Sequence, residues 1–255
     1  MPAANFARLD QRVAIVTGGA SGIGRAIVDA LADAGAKLAI VDLREVPSSE
    51  LPADSISLIA DVSDVTSVEN AYDAALDHFG RLDIVVNNAG VLDKTAVTKI
   101  TPEDFHRVLS INVGGVVWGT QAAATRLGAG GCVINMASIA ARVALPMDSL
   151  YAASKAAVVA FTENAAIELA DSGIRINAVC PGFIDTPMNQ EAADGGEEDI
   201  AKTATPLRRL GQPTEVAALV RFLASDDAAF ITGAAYDVDG GTSRGISLGA
   251  IEAMT

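Results

Sequence analysis

Residues 12–17, RVAIVT, form a run of apolar and β-branched side chains, and the next seven, GGASGIG, are rich in glycine. An amphipathic stretch, GRAIVDALADAG, comes directly after it and stops at Gly35. A continuous apolar run suits a strand buried on both faces, the situation of a parallel sheet. Strand, glycine turn and helix in this order aim backbone N–H groups at a bound pyrophosphate. Gly18, Gly22 and Gly24 are spaced G-x-x-x-G-x-G, and the alternative is a glycine turn that holds no ligand. Little else in the chain constrains the fold as strongly, because a parallel strand needs a crossover helix before its next partner.

The remainder repeats that alternation. KLAIVD reads as a second strand ending at Asp42, eighteen residues beyond Gly24. A carboxylate there is placed to bond adenosine ribose hydroxyls and to repel a 2′-phosphate, which favours NAD over NADP; the bland alternative is an N-cap at the strand end. Arg44, two residues on, could accommodate a phosphate. SISLIA is a third strand that delivers Asp61 and Val62 to the ligand edge, where Asp61 could reach an adenine amino group. The next helix is capped by Ser63 or Asp64. LDIVVNNAG is the fourth strand, ending in Asn87, Asn88 and Gly90. Thr101-Pro102-Glu103 opens a long helix through about Leu127, with Asn112 in its apolar middle. Propensity disfavours that asparagine, so it has either a buried structural partner or a function. CVINMAS, the fifth strand, delivers Ser138. A helix with Tyr151 and Lys155 comes next, then IRINAVCPG as the sixth strand with Pro181 and Gly182 at its end. Residues 183–212 lack strong periodicity and read as a lid. PTEVAALVRFLAS is a helix and AAYDVDGG a seventh strand. With no linker and no repeat, the expectation is one α/β domain over 1–255, Rossmann-like and doubly wound, with a seven-stranded parallel sheet. Its cofactor half is about 1–130 and its catalytic half about 131–255.

Tyr151 and Lys155 share a helix face at i, i+4. An ammonium about 5 Å from a phenol, at an effective dielectric near 20, favours the phenolate by roughly 3 kcal/mol. The expectation is a tyrosinate accessible near neutral pH, suited to moving a proton to or from an alcohol oxygen.

Other classes are disfavoured. A net charge of −14 argues against nucleic acid, whose phosphates need clustered cations. Cys132 and Cys180 lie in strand-like runs and read as buried free thiols. His78 and His106 stand apart from any cluster, so no metal is expected. No apolar run approaches a membrane span, and MPAANFARLDQ lacks a signal core, which gives a cytoplasmic reading.

These motifs resemble the short-chain dehydrogenase/reductase family over essentially the whole chain. They are TGGASGIG, Asp61, NNAG at 87–90, Asn112, Ser138 thirteen residues before Tyr151-x-x-x-Lys155, and Pro181-Gly182 with Thr186. The resemblance implies Tyr151 as general acid/base and Lys155 as the cation that depresses its pKa and bonds the nicotinamide ribose. It implies Ser138 holding the substrate oxygen and Asn112 holding a water in a proton relay. Cofactor contacts are implied at Gly18, Ser21, Gly22, Ile23, Gly24, Asp42, Leu43, Asp61, Val62, Asn88, Ala89, Gly90, Pro181, Gly182, Ile184, Thr186 and Met188. The implied substrate pocket, Ala140, Val143, Leu145, Met147, Leu150, Phe183, Met188 and part of the 190s beside Ser138 and Tyr151, is mostly apolar. No Arg or Lys is placed there to clamp a carboxylate, which favours an uncharged secondary alcohol or ketone, aliphatic, cyclic or aryl. Family members are commonly tetrameric through the helices at 102–127 and 149–171, so a homotetramer is expected. The alternatives are a 3-oxoacyl-thioester reductase acting on acyl carrier protein or CoA, and a non-catalytic NAD-binding regulator or scaffold.

Overall fold

The computed structural model describes residues 6–188 and 203–245. Seven parallel strands form one sheet in the order β3-β2-β1-β4-β5-β6-β7. They are β1 (Val13–Thr17), β2 (Lys37–Asp42), β3 (Ser55–Ile59), β4 (Ile84–Asn87), β5 (Cys132–Met136), β6 (Arg175–Pro181) and β7 (Ala235–Val238). The helices are α1 (Gly22–Asp33), α2 (Val65–Phe79), α3 (Pro102–Leu109), α4 (Gly115–Arg126), α5 (Ser149–Leu169) and α6 (Pro213–Ala224). The expected doubly wound, seven-stranded α/β architecture is therefore the observed one.

β1 shows why a continuous apolar strand belongs at the centre. All five residues are buried, and they alternate between two cores. Ala14 and Val16 pack on the α1/α6 side with Ile27, Leu31 and Val220. Val13 and Ile15 pack on the α2/α4 side with Val68, Tyr72 and Ala122. β1 pairs with β2 on one side and β4 on the other, so the winding reverses there. Ligands of such sheets bind at the carboxyl ends of the strands beside this reversal.

Local signals end the elements where the chain suggests. Asp64, not Ser63, caps α2, accepting from the Thr66 N–H at 2.9 Å. Thr101 and Asp104 form a capping box at α3, with Pro102 in the first turn. At α6 the Glu215 carboxylate accepts from the Gln212 N–H at 2.7 Å.

One element differs from expectation. The helix anticipated from 102 to 127 is interrupted by a five-residue π turn, Ser110–Gly114. Asn112, in the middle of that turn, is fully buried. Its Oδ1 accepts from the Val91 N–H at 2.8 Å, and its Nδ2 donates to the Val91 carbonyl at 2.9 Å and to Ser154 Oγ at 3.0 Å. The i→i+4 ladder yields locally around a side chain tied to the loop after β4.

The middle of the anticipated lid, residues 189–202, and the tail at 246–255 lie outside the described residues. The described lid ends are stitched together: Ile184 bridges Gly211, the Asp185 N–H donates to the Gly211 carbonyl, and the Gly211 N–H donates to the Phe183 carbonyl, both at 2.9 Å. No helix of the described residues is long and apolar enough to cross a membrane. Among the same residues no His, Cys, Asp or Glu cluster could hold a metal ion.

Candidate active site

A cleft of about 1120 Å³ opens along the carboxyl edge of the sheet. Its walls carry, from one end to the other, the glycine turn, Asp42, Asp61, the loop after β4, Ser138, Tyr151, Lys155 and the segment after β6. The ends of β1 to β6 contribute to one groove, although their residues lie far apart in the chain.

The glycine turn is built for close approach. Gly18 has φ +63°, and a Cβ there would stand 2.9 Å from the Ala89 Cα. A Cβ on Gly24 would lie 2.0 Å from the Gly18 carbonyl oxygen. Ser21 occupies the N-cap of α1 but bonds none of its N–H groups through its side chain, so the helix start is open toward the cleft. Those donors, with no acidic residue in the first turn of α1, fit a pyrophosphate. Thr17 braces the turn: its Oγ1 accepts from the Asn88 and Ala89 N–H groups at 3.0 and 3.1 Å. Asn88 Nδ2 donates to the Thr17 and Gly18 carbonyls. Asn88 therefore shapes the turn with its amide rather than offering that amide to a ligand.

At the adenosine end, Asp42 ends β2 and accepts from the Ala20 N–H at 3.1 Å and the Arg44 N–H at 3.4 Å. Its carboxylate is fixed beside the glycine turn on the cleft wall, whereas Arg44 is not on that wall. Asp61 is exposed and accepts from Ser63 through its N–H and hydroxyl. Gly90 is narrowed from behind: a Cβ there would meet Asn112 Oδ1 at 3.1 Å and Lys155 Nζ at 3.3 Å. These residues fit a dinucleotide laid across the strand ends.

At the other end stand Ser138, Tyr151 and Lys155. Ser138 follows β5 in extended conformation, and its Oγ accepts from the Ala140 N–H at 3.1 Å. Lys155 is 4% exposed and donates to the Met136 carbonyl at 2.9 Å. Burial pushes its pKa down to about 8. Burial pushes the Tyr151 phenol up; the Ser138 hydroxyl lowers it in part, and the Asp148 carboxylate raises it further. Burial therefore works against the tyrosinate expected from the Lys155 charge, and that ammonium is engaged by the Met136 carbonyl.

The chain matches the family model described as "Enoyl-(Acyl carrier protein) reductase" over residues 18–243. It is 41% identical over 243 residues to D-threitol dehydrogenase of Mycolicibacterium smegmatis, covering 92% of this chain and 94% of that one. The chain belongs to the short-chain dehydrogenase/reductase family. This dehydrogenase/reductase is also 40% identical over 243 residues to 2-(R)-hydroxypropyl-CoM dehydrogenase of Xanthobacter autotrophicus, with 90% and 97% of the two chains covered. A short-chain dehydrogenase from Burkholderia cenocepacia, solved in complex with NADP, superposes with a TM-score of 0.85 at 38% identity, covering 92% of this chain and 99% of that one. As a family member it is an oxidoreductase of CH–OH groups that uses a nicotinamide cofactor.

Several anticipated pocket residues need correction. Ala140, Leu145, Met147, Phe183 and Met188 line the cleft, but Leu150 and Val143 do not. Leu150 precedes Tyr151 on α5, so the helix turns it by about 100° away from the cleft and into the core, where it is 7% exposed. Asn112 is absent from the wall as well, and its carboxamide is engaged by Val91 and Ser154. The pocket is also less apolar than expected: Lys94, Asp148 and Asp185 line it. Lys94 falls in a segment whose sequence carries no periodicity. Asp148 sits where an aspartate reads as an ordinary helix cap. Ser154, beside Lys155, gives no signal of its own in the sequence, because only the fold places Asn112 against it.

Proposed function

We propose that this enzyme exchanges a hydride between NAD(H) and an uncharged secondary alcohol or ketone. The observation that carries the reading is one cleft with the Asp42 carboxylate at its adenosine end and Ser138, Tyr151 and Lys155 together at the other. Bound there, the nicotinamide would supply the two-electron acceptor or donor. Tyr151 moves the proton at the substrate oxygen, Ser138 holds that oxygen, and Lys155 holds the ribose and adds positive charge near the phenol. Asn112 acts by holding Val91 and Ser154. Asp42 disfavours a 2′-phosphate by charge and position. The cofactor preference is open to direct comparison, because the Burkholderia relative was solved with NADP.

A second reading, a 3-oxoacyl-thioester reductase, is favoured by the description of the matching family model and by Lys94 on the cleft wall. The net charge of −14 opposes docking of an acidic carrier protein. Following nicotinamide absorbance with NAD and NADP against secondary alcohols and 3-oxoacyl thioesters separates the two. Alcohol turnover with NAD supports the first reading; turnover confined to thioesters with NADPH replaces it with the second. We place the enzyme in the cytoplasm as a homotetramer built on α4 and α5. Ile167 on α5 is 79% exposed in the single chain, and a monomer in sedimentation would contradict the assembly.

A further inference from the structure

Asp148 departs from what its position calls for. It is the N-cap residue of α5, and aspartate there ordinarily accepts from the free N–H groups of the first turn. Its side chain makes no such bond. It is instead 4% exposed and on the wall of the cleft, three residues before Tyr151. The residue ahead of it, Met147, has φ +68°, a left-handed conformation that an unbranched but bulky side chain adopts at a cost. Met147 too lines the cleft. Left-handed backbone of this kind clusters at active sites, and here it lies next to a buried carboxylate on the cleft wall.

A carboxylate there has a definite chemical consequence. Negative charge develops on the substrate oxygen held by Ser138 and Tyr151, and a nearby carboxylate opposes it. A donor on the substrate turns that opposition into a hydrogen bond to an anion, among the stronger kinds. A carboxylate has about four acceptor positions, so partners within the protein leave capacity for the substrate. An anionic group on the substrate would be repelled, and a plain alkyl chain would offer Asp148 nothing to accept.

We infer that Asp148 is a specificity-determining residue that accepts a hydrogen bond from a hydroxyl on the carbon next to the reacting one, so that vicinal diols and α-hydroxyketones are the preferred substrate class. This rests on the alcohol/ketone reading above and narrows it.

Butan-2-ol and butane-2,3-diol, compared by kcat/KM with NAD, test it. The wild-type enzyme favours the diol by about ten- to hundredfold, the range of a hydrogen bond to a charged acceptor. Asp148→Asn, which keeps the shape and removes the charge, brings that ratio toward one. It also moves the pH profile of butan-2-ol oxidation to lower pH, because an anion beside Tyr151 is gone; loss of packing alone would not produce that shift. Asp148→Ser serves if the first variant does not fold, and the wild-type ratio is decisive by itself. A wild-type ratio near one, or a ratio unchanged in both variants, overturns the assignment while leaving the alcohol reading intact. A larger kcat/KM for 1-aminopropan-2-ol than for the diol replaces the hydroxyl with a cation. Silence on all alcohols with turnover of thioesters removes the underlying reading, and this one with it.

Discussion

The Lys155 ammonium stands 5.8 Å from the centroid of the Tyr151 ring while its hydrogen bond goes to the end of β5. The strand that delivers Ser138 thus also anchors the cation that serves Tyr151. All three reacting positions are set by one strand end and one helix face.

Tyr151→Phe removes the proton carrier and keeps the ring. We expect kcat to fall by about 10²–10⁴-fold, with cofactor affinity in equilibrium titration changed by only a few fold. Full turnover in that variant would remove Tyr151 from the chemistry.

Lys155 has a folded pKa of about 8 against an ordinary 10.5. Between those values the unfolded chain binds more protons than the folded one, so this group's contribution to stability rises with pH across that window. Below pH 8 the buried ammonium destabilises the fold by on the order of 3 kcal/mol. Lys155→Met is therefore more stable than wild type in denaturant at pH 7, and the difference shrinks as pH approaches 10.5. A difference independent of pH across that window would contradict the burial argument.

Ser154 is fully buried, donating to the Tyr151 carbonyl at 2.6 Å and accepting from Asn112 at 3.0 Å. Ser154→Ala leaves an Asn112 N–H unpaired in the core. Stability should fall by about 1–3 kcal/mol, and kcat should fall more than KM rises, since the displaced groups position Tyr151 and the loop at Val91. Chemical denaturation and steady-state kinetics read both; unchanged stability would mean that water replaces the hydroxyl.

Asp42→Asn keeps an acceptor for the Ala20 N–H and removes the charge. We expect the NADP-to-NAD ratio of kcat/KM to rise by at least about tenfold, the effect of removing one close like-charge repulsion. An unchanged ratio would show that cofactor choice is made elsewhere in the cleft.

Gly24→Ala probes the cradle without touching the reacting groups. Its Cβ would lie 2.0 Å from a backbone oxygen that cannot rotate away. Cofactor KM should rise by at least about tenfold, because overpacking of this kind costs about 1–3 kcal/mol. The chemical step should be less affected, and a KM equal to wild type would show that the turn yields.

Apolar periodicity and glycine position by themselves determined the order of strands and helices, the parallel sheet and the cradle beside β1. Those properties are local: RVAIVT has to be buried on both faces whatever surrounds it, and Gly18 and Gly24 have to be glycine wherever backbone closes on backbone. Ser138, Tyr151 and Lys155 were legible because fixed spacing on one helix, and at one strand end, converts directly into a shared face. What only the tertiary structure decided depends on pairs distant in the chain. Asn112 met Val91 and Ser154 and opened a π turn in a helix that reads as continuous. Leu150 turned into the core while Lys94 and Asp148 reached the cleft. Burial, which no spacing reports, pushes the Tyr151 phenol up. Desolvation and side-chain direction are properties of the packed molecule, and they exist only once the sheet has brought its strand ends together.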